Sequence, residues 1–257
     1  MTGIVYLVGA GPGAPDLITI RGAEVLARAD IVFFDALVHP QTLALAGRAR
    51  KVSVGKRCGE ISTDQRFINR NLVEASTQYS VVVRLKGGDP MLFGRAQEEI
   101  AALEQHGIRY EIVPGVTAAL AASAELAIPL TQRGLSRSVT FSTARVGVGH
   151  AAADWARAVS ATDTAALYMS RGDAAEISAT LQAHGMPSST PVAIVANASL
   201  QPCKHIRTTL VDLSSAIDCD MKGPAILLLG EVFRERVVSK GDTLRQALED
   251  SPPVRLM

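Results

Sequence analysis

The chain has 257 residues, 47% hydrophobic and 20% charged, which suffices for one large α/β domain or two small ones and is too apolar for a disordered chain. Its 26 cations and 25 anions leave a net charge of +1, so no global field steers a polyanion, and an aromatic content of 4% argues against nucleic-acid binding by base stacking. Cys58, Cys203 and Cys219 form no C-x-x-C motif and the histidines form no H-x-x-x-H pattern, so the composition excludes a disulfide scaffold, fits a reducing compartment and points to no metal site.

The N-terminus opens on a strand, Ile4 to Gly9, with no basic segment or cleavage site before it. The longest stretch without Asp, Glu, Lys or Arg, Ile177 to Cys203, holds His184, Pro187 and Pro191 and does not read as a membrane span. A cytoplasmic protein with no membrane or nucleic-acid partner is therefore expected. Helices are expected over Thr19 to Arg28, over about 40–47, over 64–79 and from Ala96 to His106, where Gly107 stops the last. Strands are expected at 31–34, ending at Asp35, at 51–54, at 81–85 and at 109–113. Val81 to Leu85 is a continuous apolar run interrupted by Arg84, the pattern of a buried parallel strand. The second half continues with a helix over 116–126, a strand at 138–143, an Ala-rich stretch around Trp155, a strand at 165–169, a helix over 173–184 and a strand at 191–196. A β-rich patch near 205–210 and a strand at 225–229 complete it. Alternation of this kind argues for a mainly parallel α/β architecture. Pro114-Gly115 is the expected boundary between an N-terminal α/β domain (1–114) and a C-terminal one (115–238), and 239–257 reads as a polar tail.

Three glycine-bearing turns follow predicted strands: Gly9 to Gly13, Gly87 to Pro90, and Pro114 to Thr117. Ligands of open α/β sheets sit at such strand ends, and glycine there lets the backbone approach a ligand. Gly9-x-Gly11-x-x-Ala14, with Asp35 at the end of the next strand, satisfies a loose dinucleotide fingerprint, which keeps a nicotinamide oxidoreductase as an alternative. Pro12 and Pro15 count against it, since proline removes N–H groups that a diphosphate would need. An adenine nucleoside without phosphates, such as S-adenosylmethionine, suits the turn better.

The segments VYLVGAGPGAPDLIT (5–19), FDALV (34–38), GKR (55–57), VVRLKGGDPMLFGR (82–95), EIVPGVTAA (111–119), IPLTQR (128–133) and YMS (168–170) together resemble the tetrapyrrole methylase family, over about residues 4 to 236. The D-x-L-V, G-K-R and IPLTxR elements resemble its uroporphyrinogen-III branch. The resemblance implies two α/β domains with a cofactor cleft between them, usually in a homodimer. It implies S-adenosylmethionine-dependent C-methylation of uroporphyrinogen III to precorrin-2 by way of precorrin-1, with S-adenosylhomocysteine released.

Carried over by the same resemblance, Pro12, Gly87, Gly88, Asp89, Leu92, Thr117, Ala118, Met169 and Ala198 hold the cofactor. Asp35 is the base that removes a proton from the alkylated macrocycle, and Lys56 is the proton donor. Arg95, Glu98 and Arg133 line the tetrapyrrole site, with Arg57, Arg137 and Arg145 as lesser candidates. From the residues alone, Asp35 reads as a lone carboxylate that could equally cap a helix or pair with Lys56. Asp89 could be a turn residue ahead of Pro90, and Met169 a core filler. Glu98, three residues after Arg95, shares its helix face and can orient it. Ile61, Asp64, Gln132 and the pair Ala144-Arg145 depart from the branch's usual residues, so a sister precorrin methyltransferase stays open.

Overall fold

The computed structural model describes residues 2–55, 65–145, 154–217, 221 and 223–235. The first half contains β1 (Ile4–Gly9), α1 (Ile20–Ala27), β2 (Ile31–Phe34), α2 (Pro40–Ala44), β3 (Arg50–Ser53), α3 (Gln65–Gln78), β4 (Val81–Lys86), α4 (Ala96–Gln105) and β5 (Tyr110–Val113). Its strands form one sheet in the order β3-β2-β4-β1-β5, parallel throughout. Alternation along each strand divides the core between the two sheet faces. Val5, Leu7, Ile31, Phe33 and Val82 face α3 and α4, where Ile68, Leu72, Ile100 and Leu103 cover them. Tyr6, Val8, Val32, Val83 and Leu85 pack on the opposite face with Val25 and Leu26 of α1. Local signals set the joints: Thr19 caps α1 by accepting from the Gly22 N–H at 3.0 Å, and Asp30 accepts from the Val81 N–H at 2.8 Å.

The second half contains α5 (Ala118–Glu125), β6 (Val139–Thr143), α6 (Trp155–Ser160), β7 (Thr164–Tyr168), α7 (Ala174–Ala183), β8 (Pro191–Ala196), β9 (Lys204–Thr209), α8 (Leu213–Ala216) and β10 (Ala225–Gly230). These strands form a second sheet, β6-β7-β10-β8-β9. Here the expectation of a mainly parallel architecture fails. Only the β6–β7 pair is parallel, while β7–β10, β10–β8 and β8–β9 run antiparallel. The stretch between Ala196 and Lys204 is too short for the crossover that a parallel pair requires, so β9 folds back on β8. The expected helix over 40–47 is shorter, ending at Ala44, and the Ala-rich stretch around Trp155 forms α6.

The connections set the location of the site. From β1 the chain crosses to β2 on one side, and from β4, the neighbour of β1, it crosses to β5 on the other. Adjacent strands whose crossovers leave in opposite directions open a crevice at their C-terminal ends. The sheet order brings Asp35 after β2, Gly87-Gly88 after β4, Gly9 at the end of β1 and Pro114-Gly115 after β5 to that one edge, side by side.

Candidate active site

The three glycine turns meet backbone to backbone. A methyl group at Gly9 would lie 2.6 Å from Gly115 Cα and 2.7 Å from Gly88 O. No side chain larger than hydrogen fits there. Gly11 and Gly88 exchange both backbone hydrogen bonds, at 3.2 and 2.7 Å, which locks the first turn to the second. Both have positive φ, 82° and 70°, which glycine adopts without penalty. Asp89 joins the second turn to the third. Its Oδ1 accepts from the Met91 N–H at 2.8 Å and its Oδ2 from the Gly115 N–H at 2.9 Å. The carboxylate thus ties the second and third turns together.

The second sheet contributes from above. The segment after β8 carries Ser199, whose Oγ accepts from the Ala14 N–H at 3.0 Å, and Leu200, whose side chain lies where a methyl on Gly13 would go. Ser199 is itself anchored by its N–H to Glu125 at 3.0 Å, and it has positive φ. At the end of β7, the Tyr168 hydroxyl sits 2.6 Å from Thr117 Oγ1 and accepts from the Ala119 N–H at 3.3 Å, and the Tyr168 ring packs 5.1 Å from Phe93. Burial raises the Tyr168 phenol above its ordinary value, against its hydrogen bonds with Thr117 and the Ala119 N–H. Met169, the next residue, holds φ of 56° and is 47% exposed. A core-filling role for Met169 is thus excluded. A non-glycine residue kept in the left-handed region beside a crevice is the pattern of a functional position.

Among the expected cofactor residues, Pro12, Gly87, Gly88, Asp89 and Leu92 lie on the first two turns, and Thr117 and Ala118 open α5 after the third. Met169 follows β7, and Ala198 lies buried beside the Ser199 segment. Arg95 and Glu98 form a bidentate pair at 2.7 and 2.8 Å, as their spacing suggests, with Arg95 at φ of 56° where α4 begins. Arg133 is on the exposed turn closed by the Gln132–Ser136 bridge, and no hydrogen bond ties it to the others among the described residues. Arg137 engages Asp163 through its backbone. Arg145 lines a cavity of about 280 Å³ shared with Asp173 and Glu176 near α6 and α7, whose carboxylates would repel a polyanionic ligand. Lys56, Arg57, Ile61 and Asp64 lie outside the described residues.

Asp35 is not a lone carboxylate. Arg84 Nη2 donates to its Oδ1 at 2.5 Å, and the side chain is 29% exposed. Behind this pair lies a buried network that the sequence reading missed. Arg84 Nε donates to Glu99 Oε1 at 3.0 Å, Lys86 Nζ to Glu99 Oε2 at 2.8 Å, and Gln65 Nε2 to Glu99 Oε1 at 3.2 Å. Burial pushes the Lys86 ammonium below its ordinary value and Arg84 adds to the effect, while Glu99 opposes it. A signal was available: cations two residues apart on a buried strand demand an anion on the helix that covers them.

Glycine turns meet at the switch point of a parallel sheet, with a second, mixed sheet reaching them, an arrangement in which α/β proteins bind ligands at strand ends. Residues 4–214 match the family of Tetrapyrrole (Corrin/Porphyrin) Methylases, and the chain belongs to that family. It is 47% identical over 238 residues to the uroporphyrinogen-III C-methyltransferase of Pseudomonas aeruginosa, covering 92% of this chain and 97% of that one. It is 46% identical over 235 residues to siroheme synthase 1 of Klebsiella pneumoniae, covering 91% of this chain and 50% of the relative. The chain therefore spans about half the length of that relative. The crystal structure of a uroporphyrin-III C-methyl transferase from Thermus thermophilus complexed with S-adenyl homocysteine superposes with a TM-score of 0.78 at 37% identity, covering 90% of this chain and 98% of that one.

Proposed function

We propose that this protein is an S-adenosylmethionine-dependent C-methyltransferase that converts uroporphyrinogen III to precorrin-2 by way of precorrin-1. The observation that carries the reading is the meeting of the three glycine turns beside Asp35, with Tyr168 at the end of β7 hydrogen-bonded to Thr117 and the Ser199 segment to Ala14. The near-full-length relatedness to uroporphyrinogen-III C-methyltransferases supports the substrate. The site also fits the proposed cofactor. A side-chain atom added at Gly88 would meet nothing within 4 Å, so the turns leave open space. Donors that a diphosphate would need are already engaged: the Gly11 N–H by Gly88 O and the Ala14 N–H by Ser199, and Pro12 has none. The nicotinamide alternative loses its binding loop on this geometry.

S-adenosylmethionine supplies an activated methyl group on a sulfonium. Pro12, Gly87, Gly88, Asp89, Leu92, Thr117, Ala118, Met169 and Ala198 would hold it, and Asp89 also fixes the turns on which it would rest. Arg95, locked by Glu98, presents a planar cation to the substrate's carboxylates, and Arg133 adds another. Asp35 takes the proton that leaves the methylated ring, and Lys56 acts as proton donor. The same reading divides the chain at Pro114-Gly115 into lobes of residues 1–114 and 115–238, and it includes a cytoplasmic homodimer. All strands of the first sheet end by Val113 and the second sheet begins at Val139, which supports the division.

The test is an anaerobic assay with S-adenosylmethionine and enzymatically generated uroporphyrinogen III, followed by absorbance and mass. Two added methyl groups are expected, with a particle of twice the 27.1 kDa chain mass by light scattering. Binding of S-adenosylhomocysteine without methylation would move the assignment to a sister precorrin methyltransferase. Absence of binding would overturn the reading of the turns.

A further inference from the structure

We propose that Glu99 is a positioning residue that acts through Arg84 to hold the Asp35 carboxylate at the active-site edge. The inference rests on the reading of Asp35 as the base, and it arises from the strand register. Val82, Arg84 and Lys86 alternate onto the face of β4 that α3 and α4 cover, so Arg84 places a cation between Leu7 and Phe33 of the neighbouring strands and Lys86 one beside Gly9. Arg84 and Lys86 are 4% and 3% exposed at the side chain, and Glu99 is fully buried. Both Glu99 oxygens are occupied: Oε1 accepts from Arg84 and Gln65, and Oε2 from Lys86.

Two buried cations face one buried anion, which leaves one positive charge over. Asp35, where the network reaches solvent, supplies the missing negative charge. Arg84 spans the gap with its fork. Nε is fixed on Glu99, Nη1 on the Leu85 carbonyl at 3.2 Å, and Nη2 is left aimed at Asp35 Oδ1. A guanidinium pinned at two nitrogens cannot swing, so the third fixes the carboxylate it holds. Asp35 Oδ2 stays outside that hydrogen bond. Well-packed apolar residues would stabilise this sheet end as well as a buried ion network does, so the network's distinct product is an oriented Asp35.

The experiment is a double-mutant cycle on the full chain, with Glu99→Gln, Asp35→Asn and the pair. Methyl transfer is measured by mass, and active sites are counted by S-adenosylhomocysteine titration. Glu99→Gln should lower kcat per active site about a hundredfold, the scale of an ångström of misplacement. KM for S-adenosylmethionine should stay within about twofold, since the cofactor turns do not touch Glu99. In the Asp35→Asn background, Glu99→Gln should change kcat less than about twofold, because its effect passes through the group already removed. Glu99→Asp, which keeps the charge, should recover part of the loss, and it carries the same cycle if Glu99→Gln does not fold. Equal fold losses in both backgrounds would show a merely structural role and overturn the proposal. Wild-type kcat in Asp35→Asn would instead overturn the reading of Asp35 and leave the turns as the cofactor site.

Discussion

Gly9→Ala probes the point where all three turns touch. The added methyl would stand 2.6 Å from Gly115 Cα, and 2.7 Å from both Gly115 N and Gly88 O. The carbon–carbon contact falls short of an ordinary 3.5 Å separation by about 0.9 Å. Every obstructing atom is backbone, so no rotamer change relieves the contact, and the β1, β4 and β5 ends must move apart by about that distance. Overpacking of this size costs about 1–3 kcal/mol. The lower entropy of the unfolded alanine chain offsets about 0.4–1 kcal/mol of it, because Gly9 is not in the left-handed region. A net loss of about 1–2 kcal/mol lowers Tm by roughly 2–8 °C in a chain of this size. Binding should suffer more, since displacing the turns by nearly an ångström moves the surface that the ligand rests on, and a loss of about a hundredfold in S-adenosylhomocysteine affinity is expected. Differential scanning calorimetry and isothermal titration give both numbers. Gly47→Ala is the control: a methyl there meets nothing within 4 Å, so Tm should hold or rise slightly. Wild-type Tm and affinity in Gly9→Ala would refute the close packing of the turns.

Tyr168→Phe deletes the hydroxyl that meets Thr117 and accepts from Ala119 N, at a cost of about 0.5–1.5 kcal/mol, and should weaken S-adenosylhomocysteine binding severalfold by titration calorimetry. Unchanged affinity would detach Tyr168 from the site. Arg95→Lys keeps the cation but breaks the two-point lock with Glu98, and should raise KM for uroporphyrinogen III about tenfold while leaving cofactor affinity alone. A rise in cofactor Kd instead would place Arg95 on the wrong ligand. Asp163, which accepts from the Arg137 and Ser138 N–H groups and the Ser138 hydroxyl, is held below its ordinary value of 3.8 by those bonds. A depressed carboxylate stabilises the fold fully above the unfolded value and loses that contribution as pH falls through the folded one. The Tm gap between wild type and Asp163→Asn should therefore be steady from neutral pH to about 5 and close below about 4. A gap independent of pH would contradict the assignment.

Strand and helix positions in the first half were legible because local rules act alone there. A continuous apolar run reads as a buried parallel strand, and Thr19 and Gly107 mark helix ends by their own chemistry. The glycine turns stood out for the same reason, since a backbone that must approach another backbone admits only hydrogen at Cα. The Arg95–Glu98 pair followed from helical spacing. Tertiary structure decided the rest. The antiparallel pairing of β8, β9 and β10 depends on which strand a returning chain inserts beside, and β10 enters between β7 and β8 from far along the sequence. The partner of Asp35 was hidden because Arg84 is 49 residues away and meets it across a sheet register. Glu99 was indistinguishable from its neighbour Glu98 until the helix was docked: one step along α4 turns a side chain by about 100°, which puts Glu98 at the surface and Glu99 in the core. Local chemistry thus determined the elements and the turns, and long-range packing determined which charges were buried together.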